Sequence, residues 1–202
     1  MTGSVFYNNY KNLQTSAHAN PAHAAIILAI INAGSARTYG VEGSLNWRVV
    51  APLTVGLNAG YLNAKYKTFG NSDPTVLEPF NLNGTRLTNS PETQFSFNAN
   101  FDQPITPGLR LVASTLVTHT SSFLWAQSGN PGVLPDATQD GYWLANARIG
   151  VRSADDKYGL AVYANNVFNN AYTTFGSSAA TTGTLLNWGN PRIVGVELSA
   201  RL

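Results

Sequence analysis

The chain has 202 residues, enough for one domain, and only 11% of them are Asp, Glu, Lys or Arg, against roughly 25% in an ordinary soluble domain. A net charge of +2 without any basic run argues against nucleic acid as a partner, and the absence of cysteine excludes a disulfide framework or thiolate metal site. No apolar run reaches the roughly 18 residues that a membrane helix needs.

In chain order, residues 4–14 are aromatic and rich in β-formers and predict a strand. Residues 15–35 predict a long connection carrying His18 and His23, which read as solvated loop histidines because no third ligand stands at a metal-binding spacing. The apolar run 24–31 has the look of a signal-peptide core but starts late, behind an Asn-rich stretch, and reads as an apolar patch in a loop.

Residues 37–50 have a period of two. Tyr39, Val41, Leu45, Trp47 and Val49 fall on one side, and Thr38, Glu42, Ser44, Asn46 and Arg48 on the other. After Ala51-Pro52-Leu53 the pattern resumes, with Val55, Leu57, Ala59 and Tyr61 facing one way, so the pair reads as a hairpin with a short turn. Residues 68–89 predict a second long loop. Phe95, Phe97, Ala99 and Phe101 then mark a strand over 93–102, which turns at Thr106-Pro107-Gly108 into a return strand from Leu109 to about Trp125. The adjacent apolar pairs Leu111-Val112 and Leu116-Val117 predict a bulge there.

A third long loop is expected at 126–140. Trp143, Ala145, Ala147, Ile149 and Val151 then alternate with Leu144, Asn146, Arg148, Gly150 and Arg152, and the turn 153–157 leads into Tyr158, Leu160, Val162 and Ala164. A fourth loop is expected at 173–188. The final strand alternates from Val194 to Leu202, with Val196, Leu198 and Ala200 on the apolar side, so the end of the chain reads as paired in a sheet.

These readings add up to eight strands whose connections alternate between long (15–35, 68–89, 126–140, 173–188) and short (51–53, 104–108, 153–157). One end of the sheet therefore carries the turns and the other the loops, which is the asymmetry of a membrane β-barrel. Tyr61, Tyr66, Phe69, Trp125, Trp143, Tyr158 and Trp188 near strand ends are read as interfacial girdles. Alternation by itself would equally fit a soluble barrel or sandwich binding module. No catalytic, cofactor or metal motif is found, so no enzyme is expected and no site residue is assigned. Glu42, Glu197, Arg48, Arg148, Arg152 and Arg201 fall on polar strand faces and read as ion pairs within a barrel before they read as ligand contacts.

The segment Ala164-Asn165-Asn166-Val167-Phe168-Asn169-Asn170-Ala171-Tyr172, followed by Gly189-Asn190-Pro191-Arg192-Ile193-Val194-Gly195, resembles the C-terminal signature of TonB-dependent outer-membrane receptors. Asn32-Ala33-Gly34 leading to Gly40-Val41-Glu42, Tyr61-Leu62-Asn63-Ala64-Lys65-Tyr66, and Leu87-Thr88-Asn89-Ser90-Pro91 are similar to further motifs of that family, in the same order.

The resemblance implies an all-β, antiparallel up-and-down membrane barrel, of which residues 1–202 would be about the last eight of twenty-two strands, without signal peptide or plug domain. It implies TonB-dependent uptake of a ferric siderophore or another scarce solute across the outer membrane of a Gram-negative bacterium. Expected partners are membrane lipid and lipopolysaccharide, TonB through the plug, and the barrel assembly machinery through the last strand. Family members usually end in an aromatic residue, whereas this chain ends in Leu202. The alternative is a self-contained eight-stranded outer-membrane protein, an adhesin or structural barrel.

Overall fold

The computed structural model describes residues 1–18, 28–32, 34–71, 80–127, 136–179 and 183–201. Among them there is no helix, and eight strands form one antiparallel sheet. They are β1 (Thr2–Lys11), β2 (Ser35–Val50), β3 (Leu53–Thr68), β4 (Thr93–Thr106), β5 (Leu109–Thr120), β6 (Tyr142–Ser153), β7 (Tyr158–Asn165) and β8 (Ile193–Ala200). Each strand pairs with its neighbour in sequence, so spatial order follows chain order, and β1 and β8 stand at opposite ends without pairing to each other. The sheet is open, unlike a closed eight-stranded barrel.

The register sorts the side chains into two faces. On one, Leu45, Leu57, Phe97, Val117 and Ala145 line up across five strands, and Phe101, Ala113, Ile149, Val162 and Val196 across another five. On the other, Ser44, Asn58, Ser96, Thr118 and Leu144 form one row, and Asn46, Gly56, Asn98, Leu116 and Asn146 the next. The apolar face has no protein over it: Val41, Trp47, Ile149, Val196 and Leu198 are all exposed. An uncovered apolar surface this wide is unstable against water and fits hydrocarbon. Two polar side chains on it are satisfied internally, as a lipid-facing surface requires. Thr115 Oγ1 donates to Asn146 O at 2.9 Å, and His119 Nδ1 lies 3.1 Å from Tyr142 O with its ring stacked on Trp143.

β5 corrects one expectation. Its pairing with β4 and β6 runs without a register shift through 111–117. Val112 and Leu116 simply point to the polar face, which tolerates an occasional apolar side chain, so no extra residue is needed. The irregularities fall elsewhere, between Pro104 and Thr106, between Arg48 and Val50, and between Ser35 and Ala36. Proline cannot donate to a ladder, and a bulge accommodates it.

The short connections are tight turns. At 153–157, Asp156 has φ of 60°, and Asp155 Oδ1 accepts from Ser153 Oγ at 2.6 Å and from Lys157 N at 3.2 Å. The Ser153 hydroxyl, followed by the Lys157 amide, holds the Asp155 carboxyl below its ordinary range. At the other end, the stretches expected to be irregular are partly ladders. Gln14–His18 pairs with Leu28–Asn32, Gly70–Asn71 with Phe80–Asn81, Phe123–Ala126 with Ala137–Gln139, and Thr173–Ala179 with Gly183–Trp188. The first strand accordingly ends at Lys11, not Gln14, and the strand expected to run to Trp125 breaks at Ser121-Ser122. The first half of the apolar run, 24–27, and His23 lie outside the described residues.

Candidate functional site

The polar face is a wall of small uncharged groups with ion pairs set into it. Arg148 Nη2 meets Glu197 Oε1 at 2.9 Å across β6, β7 and β8. Asp102 holds two guanidiniums, Arg110 at 2.8 Å and Arg152 at 3.0 Å, and Arg152 also reaches Asp156 at 2.9 Å. Glu42 accepts from Ser4 Oγ at 2.8 Å, and Arg48 closes its own turn by donating to Ala51 O at 2.8 Å. Arg148 and Glu197 are therefore brought together, Arg152 joins the Asp102 pair at the short-turn end, and Glu42 and Arg48 stand apart. Partly exposed pairs like these contribute little stability singly; their role is to keep charge on the polar wall balanced.

Above that wall, the hairpin end is organised by aromatic side chains. Tyr66, Phe69 and Leu82 are buried with Ala36, and Leu13 and Leu87 pack against them. Phe123 and Trp125 meet edge to face, and Trp125 Nε1 donates to Thr173 Oγ1 at 2.8 Å. Gln139 Oε1 accepts from the Thr173 amide at 2.7 Å and from its hydroxyl. Tyr66, Phe69 and Trp125 are thus internal packing of the hairpin layer, which corrects their reading as interfacial aromatics. Tyr61, Trp143, Tyr158 and Trp188 are exposed, as an interfacial girdle requires.

The asparagine-rich segment after β7 is a hydrogen-bonded knot. Asn166 is 5% exposed with φ of 49°, a left-handed conformation that asparagine tolerates better than most residues. Its Nδ2 donates to Asn170 O at 2.9 Å and to Asn190 O at 3.1 Å, and its Oδ1 accepts from Asn170 N at 3.0 Å. Its amide donates to Asn146 Oδ1 at 2.9 Å, and Asn169 Oδ1 accepts from Arg192 N at 2.9 Å. The Tyr172 side chain packs against Gly189, and that of Tyr163 against Gly195, where any Cβ would collide with it. The sequence motif is therefore a clamp that joins the β7 exit to the β8 entry. Asn146 belongs to it, and its only sequence signal was its polar-face parity.

The match to known proteins decides what this sheet is. Residues 1–167 fit the model of the family described as TonB dependent receptor-like, beta-barrel. The chain belongs to that family. Solved structures of TonB-dependent siderophore receptors share its fold over nearly its whole length. The ferric yersiniabactin uptake receptor FyuA from Yersinia pestis superposes with a TM-score of 0.73 at 18% identity, covering 98% of this chain and 27% of that one. The siderophore receptor PiuA from Acinetobacter baumannii gives 0.66 at 15% identity, covering 97% and 25%. BauA, the ferric preacinetobactin receptor of the same organism, gives 0.61 at 18%, covering 98% and 26%. The chain spans about a quarter of the length of these receptors. In a TonB-dependent receptor barrel the polar face of the sheet is the lumen side and the apolar face the lipid side. The clamp and β8 lie largely beyond the stretch that the family model matches, and the structural superpositions extend over them.

Proposed function

We propose that the chain forms part of the wall of an outer-membrane receptor that takes up a ferric siderophore or another scarce solute in a TonB-dependent way. The observation that carries this reading is the two-faced antiparallel sheet, apolar and uncovered on one side and lined with Asn, Ser and Thr on the other, in a chain of this family. In this reading residues 1–202 are the last eight strands of a larger barrel whose plug domain fills the lumen. The unpaired edges of β1 and β8 then find partners in the rest of the barrel, since only closure satisfies edge strands in a membrane. The hairpin end faces outward and contributes to ligand capture, TonB acts through the plug, and the assembly machinery reads the last strand.

Deleting the reading frame in its host should abolish TonB-dependent accumulation of at least one iron-loaded siderophore from a panel of hydroxamate, catecholate and mixed-ligand types. Expressing residues 1–202 by themselves in that strain should restore none of it. Undiminished uptake of every siderophore after deletion, or rescue by these residues, would overturn the reading.

Topology has its own measurement. Protease added to intact cells should cut within 68–89, 126–140 or 173–188 and spare 51–53 and 153–157. Cleavage at the short turns in unpermeabilised cells would reverse the orientation.

A further inference from the structure

Charge on the lumen side of the sheet is almost entirely cancelled. Toward the short turns, Arg148, Arg110 and Arg152 are each committed to Glu197, Asp102 or Asp156. Toward the hairpins, Arg37 and Lys65 are register partners that share the outward parity of Tyr39, so the lumen side gains no cation from them. Between these zones stands one carboxylate without a counter-charge. Glu42 enters no ion pair among the described residues, and its Oε1 accepts from Ser4 Oγ at 2.8 Å.

The wall around Glu42 leaves that carboxylate open. Its partner on β3 is Gly60, which faces Gln94 on β4, which faces Thr120 on β5. A Cβ added at Gly60 would meet nothing nearer than Val41 O at 4.0 Å, so close packing does not require the glycine; it leaves a gap in the wall beside the carboxylate. One row nearer the short turns lie Ser44, Asn58, Ser96 and Thr118. The two rows border a cleft of about 720 Å³ whose lumen-facing side chains are hydroxyls, primary amides and one negative charge.

Such a wall discriminates by charge. Hydroxyls and amides both donate and accept, so they suit a neutral polar surface, whereas a carboxylate only accepts and repels an anion. The siderophore classes differ in this property. Ferric iron held by three hydroxamates, each a monoanion, is a neutral complex. The same ion held by three catecholates, each a dianion, is triply negative.

Resting on the receptor reading above, we propose that this cleft is a contact site for an electroneutral iron complex of the trihydroxamate class, and that Glu42 sets its charge specificity. Glu42 accepts from N–H or O–H groups of the ligand shell, Asn58 and Gln94 donate to its carbonyl oxygens, and the gap at Gly60 lets the shell approach the wall. A tricatecholate complex meets the same carboxylate as like charge, with no cation in the cleft to offset it.

The test uses the full-length receptor that contains these strands, purified in detergent. Ferrichrome is the neutral trihydroxamate probe and ferric enterobactin the triply negative tricatecholate probe. The native receptor should bind ferrichrome more tightly. Glu42→Gln keeps the size of the side chain and an acceptor for Ser4 Oγ while removing the charge, and should narrow the preference about tenfold, the effect of one unit charge facing a trianion at close range through water. Arg148→Gln with Glu197→Gln removes a balanced pair from the same face and should leave the preference unchanged. A second measurement needs no variant: added NaCl should strengthen native binding of ferric enterobactin relative to ferrichrome, because screening weakens repulsion between like charges. Tighter native binding of ferric enterobactin, binding of neither probe, an unaltered preference in Glu42→Gln, an equal change in the Arg148 and Glu197 variant, or indifference to salt would each overturn the site. If deleting the reading frame costs the host only tricatecholate uptake, the receptor reading stands and the site falls; if it costs no siderophore uptake, both fall.

Discussion

Leu45→Arg is expected to cost roughly 2–4 kcal/mol in a denaturant titration of the barrel refolded into phospholipid vesicles, the penalty for a cation near the bilayer midplane. Leu45 sits in the middle of β2, in a row with Leu57, Phe97, Val117 and Ala145, and is more than a third exposed because lipid takes the place of protein packing there. An arginine at that point must snorkel or drag water into hydrocarbon. Its neighbour provides the control. Ser44 projects to the lumen side and shares a hydrogen bond with Thr2 Oγ1 at 2.6 Å. Ser44→Arg loses that exposed bond, worth about 1 kcal/mol, and leaves the new charge in a polar wall. Equal penalties for the two substitutions would mean that the faces are assigned the wrong way.

A comparable loss is expected at a position that touches neither lipid nor ligand. Asn166→Ala removes three side-chain hydrogen bonds and leaves the carbonyls of Asn170 and Asn190 and the Asn170 amide without this partner. At about 1 kcal/mol or more for each lost bond, and about 1 kcal/mol for alanine at a φ of 49°, the clamp should weaken by roughly 4 kcal/mol. Asn166→Gly separates the two contributions, because glycine relieves the backbone cost and restores none of the bonds. It should recover only about a quarter of the loss. The readouts are the refolding midpoint and new protease sensitivity around 166–172 and 189–192. A loss below about 1 kcal/mol for Asn166→Ala would show that the knot is ornamental to the β7–β8 connection.

The two substitutions differ in how far the sequence foresaw them. The face of Leu45 is written in a period of two that extends through each strand, so parity sorts lipid side from lumen side with no knowledge of neighbours. The Asn166 motif was legible as a resemblance, but its mechanics were not. Its partners Asn146 and Asn190 lie 20 and 24 residues away, and the sequence carries no sign that their side chain and carbonyl converge.

Sequence by itself determined the eight strands, their two faces, the short turns and the family, because each of these is a local property of alternation, turn chemistry or motif order. Tertiary structure decided the rest. Tyr66 has the opposite parity to Tyr61 and so points inward, whereas Phe69, just past β3, shares the parity of Tyr61 and is nevertheless buried with Tyr66 and Leu82, since residues 82–87 fold back along the end of β3. The loops expected at 68–89, 126–140 and 173–188 contain ladders because Asn, Ser, Thr and Gly, which signal turns locally, still pair when a neighbouring strand already fixes their direction. Arg152 reaches Asp102 across 50 residues, and the bulge sits at Pro104 instead of 111–117, because register is set by what lies opposite, which no single strand encodes.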